Sequence, residues 1–165
     1  MIDFVSVALD ESHVLDGFDC GVPSLNSWLV NEARRAKASG TANTYVATRT
    51  GDDRVVAYYA ITPHRLARDE VTGGMAGGVS QIPGYLLGRL ALDQSLHGQG
   101  LGGQLLRDAL ERIVEAANVA SGRLIVVDAI DGPAVAFYQK YGFQPTKIDP
   151  HRLVMKVATA RKNLT

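Results

Sequence analysis

Cysteine occurs once in the 165 residues, at Cys20, which excludes an internal disulfide and a thiolate cluster for zinc. The four histidines, His13, His64, His97 and His151, are scattered, and their spacing recommends no metal site. No apolar stretch approaches the ~20 residues of a membrane span. The opening Met1-Ile2-Asp3-Phe4-Val5 lacks the basic stretch and apolar run of a secretory signal. These absences predict a cytoplasmic protein. Net charge is missing too: 17 basic residues balance 17 acidic ones, so there is no general electrostatic pull toward nucleic acid, and any such binding must be local. What is present is material for a core. Hydrophobic residues make up 46% and charged residues 21%, the balance of an ordinary globular chain, and the length predicts one domain over residues 1–165.

The apolar pattern places the elements. Residues 2–9 read as a first strand. From Ser24, an N-cap type, apolar residues recur at Leu25, Trp28, Leu29, Ala33 and Ala36, one face of a helix that Gly40 ends. Residues 43–49 and 54–62 read as a hairpin turned at Thr50-Gly51-Asp52-Asp53, the second strand ending at Pro63. A short helix fits around 64–70. The Gly-Gly-Met-Ala-Gly-Gly run at 73–78 reads as a mobile loop. Residues 84–92 are nearly all apolar, as in a central strand covered on both faces. A helix runs from about Gly100 to Ala120 and a buried strand follows at 123–129. Next come a helix from about Gly132, capped by Asp131, to Tyr141, and closing strands at Phe143–Lys147 and Leu153–Val157. The tail Arg161-Lys162-Asn163 should fray. This order is that of an α/β fold: a mixed central sheet of about six to seven strands with helices on both faces.

The segment His97-Gly98-Gln99-Gly100-Leu101-Gly102-Gly103 joins the central strand to the long helix. Four glycines among residues 98–103 exceed what a change of direction needs. They let backbone approach a ligand, while the free amides of the first helical turn favour an anion. Gly98, Gly100 and Gly103 also spell the dinucleotide fingerprint. That motif requires its first glycine directly after the strand and an acidic residue about 20 positions on. Here Asp93 to His97 intervene and Asp128 lies beyond that distance, so a nicotinamide-nucleotide domain is rejected.

The same loop resembles the phosphate-binding motif of the GNAT acetyltransferases, with Gly100 and Gly102 in place and His97 standing where arginine or glutamine is usual. Downstream, Ala134, Tyr138, Gly142 and Phe143 match the family's second signature. The resemblance implies the GNAT fold and acetyl-CoA as cofactor. His97, Gly98, Gln99, Gly100, Leu101, Gly102 and Gly103 would contact the pyrophosphate, the backbone of Leu90, Ala91 and Leu92 would pair with the pantetheine arm, and Phe137 and Tyr138 would also touch the coenzyme. Tyr138 is then the catalytic candidate, a neutral phenol able to protonate the departing thiolate, against the alternative of an aromatic residue that fills the core. No glutamate on the central strand can take the amine's proton. An α-amine, with pKa about 7.7–8.0, is therefore an easier acceptor than lysine at about 10.4. Asp93 and Asp128 are read equally as proton relays and as caps.

His13 to Leu29, Thr44-Tyr45-Val46, Tyr58-Tyr59-Ala60 and Ile82-Pro83 leading to Leu87-Gly88-Arg89-Leu90-Ala91 resemble the GNAT toxins of toxin–antitoxin pairs. That resemblance implies acetylation of the α-amine of aminoacyl-tRNA, arrest of translation, a ribbon-helix-helix antitoxin as partner, and a homodimer. RNA contacts would fall to Arg34, Arg35, Lys37, Arg65, Arg68 and Arg89, which would have to share a face with Tyr138. A solvated helix face is the ordinary account of such clusters, and Arg89 has the alternative of pairing with a carboxylate inside the sheet. Two rival functions are a GNAT enzyme acting on a small amine or a peptide N-terminus, and a non-catalytic acyl-CoA-binding module.

Overall fold

The computed structural model describes residues 6–165. Its strands are β1 (Val7–Ala8), β2 (Asn43–Thr48), β3 (Val55–Ala67), β4 (Gln81–Leu92), β5 (Leu124–Asp128), β6 (Gln144–Pro145) and β7 (Arg152–Lys156). Its helices are α1 (Pro23–Asn31), α2 (Ala33–Ser39), α3 (Gly73–Ala76), α4 (Leu101–Ala120), α5 (Gly132–Lys140) and α6 (Val157–Leu164). The strands form one seven-stranded mixed sheet in the order β1-β2-β3-β4-β5-β7-β6. The fold class read from the sequence holds. Of the predicted first strand, residues 2–5 lie outside the described residues, and Val7–Ala8 pair antiparallel with Tyr45 and Val46.

The chain divides into two compact units, residues 1–62 with 89–109, and residues 63–88 with 110–165. In the first, Leu15, Phe18, Leu29, Val46, Val55 and Tyr58 form the core, with Trp28 packed against it. The predicted single helix from Ser24 to Gly40 is two helices. Glu32 departs from helical geometry between them (φ −119°), although its amide still reaches the Trp28 carbonyl at 2.8 Å. Pro23, whose fixed φ suits a first helical position, opens α1 after Val22, so Ser24 is not the cap. Gly40 does end α2, in the left-handed region at φ +75°.

In the second unit, β5 is the most buried strand. Leu124, Ile125, Val126 and Val127 are fully covered, while β7 pairs antiparallel along its whole length. Leu66, Val71, Ile82, Leu124, Val126 and Val154 form this core. Several expectations are corrected here. β3 does not stop at Pro63 but continues to Ala67, because its ladder with β2 has already ended at Asn43↔Ile61 and a missing N–H on that side breaks no pair. Only Arg68–Glu70 then turn into a 3-10 helix. The glycine run is no loose loop. Thr72 caps α3 through the Met75 amide, and the Arg123 guanidinium donates to the Met75 and Gly74 carbonyls at 2.8 and 3.0 Å. The tail does not fray either: buried Val157 and Ala160 seat α6, and Arg161 donates to Asn118 at 2.8 Å.

β4 departs from the pattern of a strand covered on both faces. Leu87 and Ala91 are buried, but Gly88, Arg89, Leu90 and Leu92 are only partly covered. Its parallel ladder with β5 closes at Leu87↔Val127, whereas β4 runs on to Leu92.

Candidate active site

In the first unit, β4 delivers Leu90, Ala91 and Leu92 directly into the turn that precedes the glycine loop. Asp93 governs that turn. Its carboxylate accepts from the Ser95 amide at 3.0 Å, the Ser95 hydroxyl at 2.6 Å and the Asp19 amide at 3.0 Å. Burial alone would raise its pKa, but the Ser95 and Asp19 donors and the Arg49 charge together outweigh it and hold the carboxyl below its usual value. A carboxylate so occupied is a poor proton acceptor, and of its two readings the cap is the one these bonds serve. The His97 ring donates from Nε2 to the Leu92 carbonyl at 2.8 Å. This ties the end of β4 to the loop and commits the side chain that stands where the family usually has arginine or glutamine.

Gly98 and Gly100 follow at φ +78° and +71°, so the direction change accounts for both. Gly102 and Gly103 are different. They sit inside the first turn of α4, where a glycine costs about 1 kcal/mol relative to alanine, and no turn requires them. The amides of that first turn have no acceptor within the helix. Glycines there add no side chain of their own in front of these amides, which suits the pyrophosphate of a nucleotide coenzyme.

In the second unit, α5 carries Phe137 and Tyr138. The Asp131 side chain accepts from the Ala134 amide at 2.8 Å, and Pro133 follows Gly132 in the first turn, so the predicted cap is in place. At the other end the Gly142 amide reaches the Gln139 carbonyl at 3.0 Å, and the Phe143 amide reaches that of Tyr138 at 3.1 Å. Gly142 adopts φ +98°. These two bonds are a Schellman motif, and the apolar contact that accompanies it is between the Tyr138 and Phe143 rings, edge-on at 5.6 Å. The signature Tyr138, Gly142, Phe143 is therefore one helix stop that clamps the tyrosine ring, with Phe137 edge-on at 5.2 Å. Tyr138 is 7% exposed. Burial, with a smaller contribution from the Asp128 charge, pushes its pKa up to about 12, so the phenol keeps its proton across the physiological range.

Asp128 ends β5 and is gripped by Arg152, Nε to Oδ1 at 2.8 Å and the second nitrogen to Oδ2 at 3.0 Å. That bidentate pair makes Asp128 a structural partner before it is a relay. Sequence reasoning missed Arg152, whose register opposite Asp128 shows only once the strands are paired.

The basic residues have different partners within each unit. In the first unit Arg34 donates to the Asp10 and His13 carbonyls at 3.0 and 2.8 Å, and the Lys37 ammonium lies 3.4 Å from the Leu9 carbonyl, so both tether the segment before α1. Arg35 and Arg89 instead line a separate groove with Trp28. Arg89 does not pair with a carboxylate inside the sheet among the described residues. Its guanidinium carbon lies 4.2 Å from the centroid of the Trp28 ring. In the second unit Arg65 borders a cavity of about 390 Å³ with His64, Tyr85 and Ser121, and Arg68 donates to the Val79 carbonyl at 3.3 Å. Among the described residues no cluster of His, Cys, Asp or Glu is arranged to hold a metal ion, and no helix is long and apolar enough to cross a membrane.

Comparison with known proteins agrees with this geometry. A family model described as an acetyltransferase (GNAT) domain matches residues 40–145. The chain is 34% identical to a tRNA-acetylating toxin of Mycobacterium tuberculosis, over 93% of this chain and 92% of that protein. It resembles the structure of AtaT complexed with acetyl-methionyl-tRNAfMet, with a TM-score of 0.88 and 26% identity over 98% of this chain and 99% of that one. It also resembles a tyrosine-to-phenylalanine mutant of the AtaT toxin bound to the C-terminus of the antitoxin AtaR and acetyl-CoA, with a TM-score of 0.84 and 25% identity over 98% of each chain. The family model covers more than half of the chain and the likeness to the mycobacterial toxin runs nearly end to end, so this chain belongs to the GNAT family of acetyltransferases.

Proposed function

We propose that this protein is an acetyl-CoA-dependent N-acetyltransferase that acetylates the α-amine of aminoacyl-tRNA and so removes it from translation, acting in the cytoplasm as a toxin held in check by a ribbon-helix-helix antitoxin. The observation that carries this reading is the nearly end-to-end likeness to a tRNA-acetylating toxin. The likeness to AtaT complexed with acetyl-methionyl-tRNAfMet and to its mutant bound to antitoxin and acetyl-CoA supports the same substrate, partner and coenzyme. A homodimer belongs to the same reading.

Acetyl-CoA, when bound, supplies an activated acetyl thioester. The chain's own groups supply the rest. Amides of Gly98 to Gly103 and the first turn of α4 take the pyrophosphate. The backbone of Leu90, Ala91 and Leu92 would hold the pantetheine arm, and an amide near Leu92 would serve as the donor to the thioester carbonyl oxygen. Tyr138, protonated throughout the physiological range, would supply the proton that the thiolate leaving group needs, with the amine's own proton passing to solvent. Neither candidate relay is free to act as a strong base: Asp93 is capped by donors and Asp128 is held by Arg152. An acceptor that is already partly neutral suits such a site, and an α-amine is one.

The test is translation in vitro, with purified protein, with and without acetyl-CoA. The reading expects synthesis to stop only when acetyl-CoA is present. Acetylation of small amines or peptide N-termini with translation untouched would favour the first rival, and coenzyme binding without turnover the second.

A further inference from the structure

Arg152, on β7 in the second unit, commits every guanidinium nitrogen to an acceptor. Nε and Nη2 donate to the two oxygens of Asp128 at 2.8 and 3.0 Å. Nη1 lies 3.3 Å from Nε2 of His64, a contact that a neutral imidazole accepts, and 3.9 Å from Oε1 of Glu70. Burial first, then the Arg152 charge, holds the His64 pKa below its usual value, so the ring is neutral at physiological pH. The other oxygen of Glu70 is itself fixed, accepting from the Ala67 amide at 2.7 Å. His64 on β3 and Glu70 beyond it thus steady one planar fork against the end of β5.

The place of this pair in the chain gives it a use beyond packing. Asp128 ends β5, and Asp131, the cap of α5, follows three positions on. The turn between them is tied to the same strand end, the Ala129 amide donating to the His151 carbonyl at 2.8 Å. Helix α5 then carries Tyr138, and the Asp128 charge reaches its phenol, adding to the effect of burial. To act as an acid, Tyr138 must pass its proton to the sulfur and stand briefly as a phenolate before solvent returns one. A bare carboxylate within reach opposes that second negative charge, whereas one locked to a guanidinium does so far less. We infer that Arg152 is a positioning residue for the reaction: it fixes Asp128 at the entry to α5 and cancels the charge that would otherwise resist proton transfer from Tyr138. The inference rests on Tyr138 acting as the acid in the function proposed above, and it holds whichever amine is the acceptor.

Steady-state rates are measured for wild type, Arg152→Gln, Arg152→Gln combined with Asp128→Asn, Tyr138→Phe, and Tyr138→Phe combined with Arg152→Gln, with folding checked by circular dichroism. Arg152→Gln is expected to lower kcat about tenfold and to leave both KM values unmoved. Removing the stranded charge through Asp128→Asn should recover most of that loss, which a merely structural arginine would not allow. In the Tyr138→Phe background Arg152→Gln should cost nothing further, because the phenol is gone. An unchanged kcat in Arg152→Gln, an equal loss in the Tyr138→Phe background, or no recovery in the double variant would overturn the inference. Should Arg152→Gln not fold, Arg152→Lys, which keeps a cation without the two-pronged grip, makes the same comparison: a smaller loss of kcat, again absent in Tyr138→Phe. If Tyr138→Phe is slow and Arg152→Gln is not, only the inference falls; if Tyr138→Phe keeps the full rate, the acid role falls and takes the inference with it.

Discussion

Tyr138 joins two demands in one side chain. Its ring is core, held by Phe137 and Phe143, and in the proposed reaction its hydroxyl is the acid. Tyr138→Phe keeps the ring and removes only the proton, so coenzyme affinity and melting temperature should stay near wild type while kcat falls about 10²–10⁴-fold, the usual worth of a general acid. The same phenol has a thermodynamic signature. An ordinary tyrosine ionises near 10 in the unfolded chain, whereas the folded phenol holds its proton to about 12. Its contribution is complete below pH about 10 and is lost as pH rises toward 12, because only the unfolded chain then gains by ionising; the full loss is about 3 kcal/mol. Urea unfolding from pH 9 to 11.5 should show wild type losing stability faster than Tyr138→Phe, since Tyr58 and Tyr85, also raised by burial, are common to both. Parallel curves would remove the buried phenol from the account.

At the scale of elements, α4 is the decisive helix. Its first turn carries Gly102 and Gly103, which weaken it as a helix and suit it as an anion cradle. Gly102→Leu should therefore leave helicity unchanged or higher while raising the KM for acetyl-CoA at least about tenfold, measured by circular dichroism beside steady-state kinetics. A normal KM would remove these two glycines from the coenzyme site. The local structure of the candidate residues was legible in the sequence because glycines and a helix stop are local chemistry: residues 98–103 lead into α4 and Gly142 stops α5, as read. What escaped depended on partners far along the chain. Pro63 looked like a strand end because only pairing shows that β2 has already finished at Asn43. The glycine run looked mobile because Arg123, which fastens it, comes much later in sequence. The tail looked free because Val157 and Ala160 have too short a pattern to announce burial. Trp28 and Arg89 were each legible, but their stacking was not.

For the whole molecule, neutrality of charge argues against broad adhesion to RNA, and the structure distributes its cations accordingly. Arg34 and Lys37 tether backbone, while Arg35 and Arg89 border a groove. An acceptor amine of modest pKa suits a reaction for which Asp93 and Asp128 are already engaged by other donors. The most direct measurement is mass analysis of aminoacyl-tRNA after incubation with the protein and acetyl-CoA. The account predicts one acetyl group on the α-nitrogen of the aminoacyl ester, absent with Tyr138→Phe at equal times. Unmodified aminoacyl-tRNA alongside acetylated free amines or lysine side chains would contradict it.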